Sequence, residues 1–466
     1  MSVQIENYIS ISPFVSTFTL TPIHVAYANT LRRLIMTGVE SAAFRADMKD
    51  GTTTDVTVEQ NDTPMTNEML AHRIGLLPIH VPLDTDLKTL TFTLDVKAEK
   101  DTYKDVTCED FVIMREREGG KEPVQMDTDV FFPKHPLTRR TCLIATLAPG
   151  VGRVKFSAKA SMGTGRENAR FQPTSQCSYV YTRDEDEATV DAHFTEWLEK
   201  AKKQSVGDLE EGDEKAKAKL AAFRREYETM EIAKVYLKDA KGEPYSYDFT
   251  IETVGPLKIS YIVRRACDVG AAMMSKYTSI ENGVLPDDKK LYVIPSRSRV
   301  LGFDFIMKEQ DHTFGNMIQT YLEQNHIYEA EQKAGGPVKI TYAGYEVPHP
   351  LRDELVVRIG SSSKEEALKA FAQACEGCVK IFSDIRTAWM RAVPEAGVNM
   401  AAAELAAAVK PNAGVAKARV AAAAIVAATT AATTAATAAK SVKTKSAATT
   451  TAPNSVKPKT DQVPKK

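Results

Sequence analysis

Cys375-Glu376-Gly377-Cys378 is the one CxxC in the chain, and thiols at this spacing make half of a structural zinc site or a redox pair. A structural zinc ion takes four ligands, and neither a second CxxC nor a suitably spaced His pair accompanies these cysteines. Both also fall on an apolar stripe otherwise filled by Leu, Phe and Ile, where a free cysteine acts as a small buried hydrophobe. We read them as core residues and expect no metal and no cofactor. Among the histidines, His72 and His80 repeat no ligand spacing, nor do His312, His326 and His349. HExxH, GxxxxGK[ST], GxGxxG and GxSxG are absent. Gly163-Thr164-Gly165 is too short to cradle a phosphate, and no Asp-rich cluster resembles a two-metal centre. Catalysis by this chain is therefore not expected. Arg32-Arg33 is a further chemical feature. Neighbouring helical residues point about 100° apart, so at most one of the pair lies on a buried stripe. Two readings stay open: two solvated charges, or a guanidinium fork reaching a partner's carboxylates.

The elements that position these residues follow from hydrophobic periodicity. Residues 3–20 alternate and read as strands. Pro22 opens a helical pattern with Val25, Ala28, Leu31, Leu34 and Ile35 on one face. Residues 42–60 return to strand character, and Thr66 to Ile74 reads as a short helix with Thr66 as its N-cap. Strands are predicted at 89–98, 106–114, 141–147, 153–160 and 176–182. Residues 184–231 are dense in charge and read as an exposed helical insertion, with Asp184-Glu185-Asp186-Glu187 a solvated face. After a strand at 247–254, Gly255-Pro256 begins a helix carrying Ile259, Ile262, Ala266, Val269 and Met273. Residues 285–302 read as a connector, and a second strand–helix unit begins at Leu301. The last helix, from about Ser363 to Ala392, places Leu368, Phe371, Cys375, Cys378, Phe382, Ile385 and Trp389 at steps of 3 and 4 without a break. Such a stripe packs along another helix at a shallow angle.

The chain has 466 residues, room for about two to four domains, and 43% hydrophobic with 26% charged residues is ordinary for globular protein. Net charge is −1, but from Gly397 onward ten Lys and Arg face two acids, so a basic tail balances an acidic remainder. The tail is Ala/Thr/Lys/Pro-rich and is expected to be disordered. Val420–Ala439 lacks charge for the length of a membrane span, yet it is nearly all Ala and Thr, and we reject a span there. The opening MSVQIENYIS has no basic start and no apolar core, so an intracellular setting is expected.

Phe18 to Asn29 spans the same distance as Phe305 to Asn316, and at that offset Tyr27 meets Phe314, Ala28 meets Gly315 and Leu31 meets Ile318. Ala28-Asn29-Thr30-Leu31-Arg32-Arg33-Leu34 resembles the first-helix motif of the α-type subunits of multisubunit DNA-dependent RNA polymerase. Asn67-Glu68-Met69-Leu70-Ala71-His72-Arg73-Ile74-Gly75-Leu76-Leu77-Pro78-Ile79 is similar to the signature of their archaeal and eukaryotic branch. Leu147 to Gly150, Gly163 to Gly165, Ala169 to Pro173 and Phe249 to Gly255 follow the same order. In the second half, Glu309 to Asn316 and Tyr342 to Leu351 resemble the small α-like partner subunit. Within these motifs His312, Gly315 and Asn316, then Tyr345, Pro348, His349 and Pro350, carry the likeness.

The resemblance implies an α+β protein made of two α-like dimerisation units fused into an intramolecular pseudo-dimer. Its first unit is expected at 1–45 and 176–292, an insert domain at 46–175, the second unit at 293–393 and the tail at 394–466. It implies a non-catalytic assembly platform for the largest and second-largest polymerase subunits and the small zinc-bearing subunits, reaching DNA only indirectly and no membrane. Asn29, Arg32 and Arg33, with Glu68, His72 and Arg73, are implied to face the large subunits. Ile259, Ile262, Val269 and Met273 are expected to pair with Leu368, Phe371, Phe382, Ile385 and Trp389. Several relatives bind zinc or an iron–sulfur centre in the insert domain, whereas that region here has only Cys108 and Cys142, so no metal is expected. Fusion resembles the arrangement in large cytoplasmic DNA viruses, which implies host cytoplasm and virion; a cellular protein of this kind is nuclear. The competing expectations are a DNA-binding accessory protein acting through the basic tail, with salt-sensitive affinity, and a thiol or metal enzyme centred on Cys375 and Cys378.

Overall fold

The computed structural model describes residues 2–397 except 50–51, 54, 82–84, 118–121, 281–282, 284, 287–288 and 329–335. Val420–Ala439 and the rest of the basic tail lie outside the described residues. No helix among the described residues is long and apolar enough to cross a membrane.

Alternating residues in Gln4–Ser10 and Val15–Thr21 form an antiparallel hairpin, and Val25–Thr37 follows as a helix. Pro22 lies just before the helix rather than in its first turn; the cap is His24, whose side chain accepts from the Ala26 amide. Strands Thr174–Tyr181 and Tyr247–Thr253 complete the sheet, and the helix Ile259–Ser275 follows. Across the sheet the order is Gln4–Ser10, Val15–Thr21, Tyr247–Thr253, Thr174–Tyr181, antiparallel throughout.

The second sheet has the same plan. Leu291–Pro295 and Phe303–Lys308 pair as a hairpin, the helix His312–Leu322 follows, and strands Tyr342–Glu346 and Glu354–Gly360 precede the helix Lys364–Ala392. Glu354–Gly360 sits between Phe303–Lys308 and Tyr342–Glu346. In both units the chain runs strand, strand, helix, strand, strand, helix, and the fourth strand inserts between the second and third. The offset that carries Phe18 onto Phe305 carries Val25 onto His312, the first residues of the corresponding helices. Residues 285–302 are thus more than the expected connector. They hold the edge strand Leu291–Pro295, where a terminal proline leaves no inner ladder bond unmade. The boundary expected at 292/293 cuts this strand.

Between the first helix and the third strand of the first unit, residues from Phe44 to Ala160 build a second hydrophobic cluster. Its main sheet orders Val124–Met126, Val112–Arg115, Leu90–Lys97, Arg153–Ala158 and Val56–Asn61. Phe44, Phe92, Phe111, Phe131, Phe132 and Phe156 meet at its centre. The expected strand at 106–114 is broken by a single turn at Cys108–Asp110, because the Asp110 carboxylate accepts from the Thr107 amide at 2.8 Å and stops the ladder. The charged insertion is helical at Glu187–Trp197 and Glu214–Met230. Glu185, Asp186 and Glu187 are exposed, while Phe194, Leu198, Leu209, Tyr227 and Val235 form a small core of their own.

Candidate functional site

The helices Ile259–Ser275 and Lys364–Ala392 lie against each other within one apolar core. Three contacts give their direction. The Trp389 indole donates to the Ser260 carbonyl at 2.9 Å, Arg386 lies 2.8 Å from Asp268, and a Cβ at Gly270 would stand 2.8 Å from the Phe382 ring. Tyr277, two residues past the first helix, meets Phe371 edge-on at 6.2 Å. As one helix ascends the other descends, so they pack antiparallel. Gly270 is required at the crossing because any side chain there strikes Phe382 or Leu34.

The 29 residues of the long helix extend about 43 Å. Its first half covers its own sheet, where Phe371 stacks on Phe305 at 4.6 Å. Its last turn reaches the other sheet, where Trp389 meets Phe18 at 5.0 Å and Tyr8 at 5.6 Å. Leu368, Phe371, Phe382, Ile385 and Trp389 are all buried, as are Ile259 and Ile262. Val269 and Met273 depart from the expected stripe and are only partly buried. The deep positions are Val263, Cys267, Gly270 and Met274, because two helices flank this one: Gly38, at the end of Val25–Thr37, faces Val269, so the buried face is wider than a two-helix seam. Cys375 and Cys378 are buried in the seam, and burial pushes both thiols up, which leaves them inert.

The Arg pair divides. Arg33 crosses to the second unit, donating from Nε to the Thr313 hydroxyl at 2.7 Å and lying 3.7 Å from Asp311. Asp311 caps the helix His312–Leu322 through the Thr313 amide at 2.8 Å, so the Arg33 charge sits at the cap itself. Its partners are thus within the chain, an outcome between the two readings of the pair. Arg32 is half-buried and is held by the Asn29 side chain at 3.0 Å.

The signature segment folds as the helix Asn67–Gly75, capped by Thr66. Leu70, Ala71 and Ile74 face the second cluster, while Glu68, Met69, His72, Arg73 and Leu76 are exposed on one side. Glu68 is fully exposed, and hydrogen bonds from its own amide and from Thr66 at the helix N-terminus hold its carboxyl below the ordinary value. Arg73 donates to the Leu143 carbonyl at 3.1 Å. Met69 and Leu76 are 59% and 55% exposed, so this helix presents charge and apolar surface together.

The two motifs of the second half meet in space. A Cβ at Gly315 would fall 2.5 Å from the Tyr345 ring, which is why glycine stands there. His312 meets the same ring edge-on at 5.7 Å. Asn316 is half-buried beside them, and Pro348, His349 and Pro350 continue into an exposed turn. Residues that sequence reasoning passed over include Gly270 and the pair Arg265–Glu40, with bonds of 3.0 and 2.8 Å. Burial opposes the Glu40 charge, but the Arg265 bonds prevail and lower its carboxyl. Helical periodicity had no signal for either, since both depend on neighbours distant in sequence.

The chain thus carries a pair of α+β units of one topology, and comparison with known proteins gives its kinship. Residues 303–388 match the RNA polymerase Rpb3/Rpb11 dimerisation domain. The chain is 28% identical over 260 residues to the DNA-directed RNA polymerase subunit Rpo3 of Pyrococcus furiosus, covering 54% of this chain and 87% of that subunit. Against the human DNA-directed RNA polymerases I and III subunit RPAC1 it is 25% identical over 278 residues, covering 54% and 77%. Against the probable subunit RPAC2 of Caenorhabditis elegans it is 31% identical over 105 residues, covering 22% and 65%. Because 54% of the chain exceeds everything after residue 292, the Rpo3 match must extend into residues before 293. The chain is homologous to α-like subunits of DNA-directed RNA polymerase, and these matches favour a non-catalytic polymerase subunit over a DNA-binding accessory protein.

Proposed function

We propose that this chain is two α-like polymerase subunits fused in one polypeptide, forming an intramolecular pseudo-dimer that serves as the assembly platform of a DNA-dependent RNA polymerase. The observation that carries this reading is the antiparallel packing of Ile259–Ser275 on Lys364–Ala392, each closing a unit of the same strand order. Similarity to Rpo3 over 54% of the chain and to RPAC2 over 22% of it supports it from an independent side. The largest and second-largest subunits, which hold the chemistry of nucleotidyl transfer, are the proposed partners, with the small zinc-bearing subunits docking on the same platform. DNA is reached only through the assembled complex. Fusion extends the reading to a large cytoplasmic DNA virus, with action in host cytoplasm and virion; in a cellular source the place is the nucleus.

The surface proposed for the second-largest subunit joins Asn29 and Arg32 to the exposed side of Asn67–Gly75, with Glu68, His72 and Arg73. Arg33 contributes by fixing the first helix against the second unit. Co-expression of the full chain with the two large subunits, followed by size-exclusion chromatography, tests the platform: a stable complex is expected, and a chain that elutes alone overturns it. The change Arg32→Ala/His72→Ala/Arg73→Ala should weaken capture of the second-largest subunit by about 2–5 kcal/mol. It should shift fold stability by only about 0.5 kcal/mol per residue changed. Undiminished capture by a folded variant removes these residues from the interface.

A further inference from the structure

Four of the six cysteines, Cys177, Cys267, Cys375 and Cys378, are buried in the platform core, and burial raises each of their thiols. The remaining two are differently placed. Strands Lys104–Thr107 and Leu143–Leu147 pair antiparallel with Thr107 opposite Leu143, which sets Cys108 opposite Cys142 at the end of the ladder. The Cys108 amide donates to the Cys142 carbonyl at 3.1 Å. Directly opposed residues of an antiparallel pair have Cα atoms about 4.5–5.5 Å apart. A disulfide accepts about 4.4–6.8 Å. The two thiols are close enough to act on each other's protonation. Cys108 is buried and Cys142 is exposed, so an outside reagent meets Cys142 first and finds Cys108 directly behind it.

We propose that Cys108 and Cys142 form a redox-active dithiol that closes to a disulfide by exchange with a small-molecule disulfide such as glutathione disulfide.

The electrostatics assign the roles. The adjacent Cys142 thiol, then burial, then the nearby Asp110 carboxylate keep Cys108 protonated. The adjacent Cys108 thiol in turn lowers Cys142, whose thiolate is the nucleophile. The other charges on the turn are engaged, Lys104 with Asp110 at 3.9 Å and Lys134 with Glu109 at 3.4 Å. The Cys142 thiolate attacks one sulfur of glutathione disulfide, forming a mixed disulfide and expelling one glutathione thiolate. Cys108 then gives up its proton to solvent and attacks the Cys142 sulfur, expelling the second glutathione thiolate and closing the protein disulfide. The protein is oxidised by two electrons and glutathione disulfide is reduced to two thiols. The site adjoins Leu143, whose carbonyl accepts from Arg73, so the reaction occurs beside the exposed side of Asn67–Gly75.

The full-length folded chain is equilibrated in glutathione buffers of graded reduced-to-oxidised ratio, quenched by alkylation and mapped by peptide mass spectrometry. The expected result is a linked Cys108–Cys142 peptide replacing both alkylated forms in one transition, with the other four cysteines neither linked nor glutathionylated. Cys108→Ser should leave Cys142 carrying one glutathione, and Cys142→Ser should leave Cys108 unmodified in the folded chain. Two fully alkylatable thiols in oxidised glutathione alone overturn the proposal, as does oxidation of all six together, which marks unfolding. The wild-type map decides the matter even where a variant fails to fold.

Discussion

The first unit of the platform is interrupted twice, by the cluster drawn from residues 44–160 and by the helical insertion, whereas the second runs from Leu291 to Ala392 with short connections. Both interruptions leave from loops flanking the strand Thr174–Tyr181, an edge of its sheet. Neither breaks the helices that form the seam. The contrast teaches where this topology has freedom: additions at an edge cost little loop-closure entropy, while the buried seam admits almost none. The same contrast holds for single residues. Ala28 of the first helix and Gly315 of the second stand at corresponding positions, and both are buried. Gly315 faces the Tyr345 ring at a distance that excludes a methyl, whereas Ala28 carries one.

The largest expected effect tests whether the two units are one cooperative structure. Trp389→Ala removes a buried side chain that the second unit lends to the first unit's sheet, and should cost about 3–5 kcal/mol in denaturant unfolding. An unchanged midpoint would separate the units. Next, Gly315→Ala should cost about 1–3 kcal/mol through overlap with Tyr345, and adding Tyr345→Ala should recover part of it. Ala28→Gly, the reciprocal change, should cost only about 1 kcal/mol from helix propensity. Equal costs would mean that the two positions differ less than the contact distances imply.

Arg33→Ala tests the polar link between the first helices of the two units. Loss of the Thr313 bond should lower stability by about 0.5–1.5 kcal/mol, and Thr313→Val should lose little more when added to it. Full additivity of the two changes would show that they do not interact. The smallest effect is a pH dependence. Glu40 is held below its ordinary value mainly by Arg265 against the opposing effect of burial. Its ion pair therefore adds stability above the unfolded carboxyl's value near 4.5, and loses it as pH falls through the lower folded value. Both partners are more than a third exposed, so the gain is about 0.2–1 kcal/mol. Arg265→Met should destabilise the chain at pH 7 and converge on wild type as pH falls through the lowered Glu40 carboxyl, as read by thermal unfolding; a constant difference throughout would remove the pair as its cause.

Much of the site was legible along the chain. The steps of 3 and 4 from Leu368 to Trp389 fixed one face of one helix, and all seven of those residues are buried. Thr66 and Ser363 mark helix starts because a short oxygen side chain can take a free amide. The signature around His72 was visible as a string of residue types. These signals are local: period, cap and motif depend on residues within a few positions of one another.

What only the tertiary structure decided is which residues face one another. Val269 and Met273 match the periodicity as well as Val263 or Met274, yet in the packed core only the latter two are fully buried. The strand Leu291–Pro295 is too short to declare itself beside charged neighbours, and is held by pairing with Phe303–Lys308. Arg32 and Arg33 are identical in type and adjacent, yet one is held by Asn29 on its own helix and the other spans to Thr313, 280 positions away. The sequence by itself determined the helices of the seam, the apolar face of the last one and the kinship of the two halves. The fold alone decided the partners, because a contact between distant segments depends on the geometry of everything packed around it.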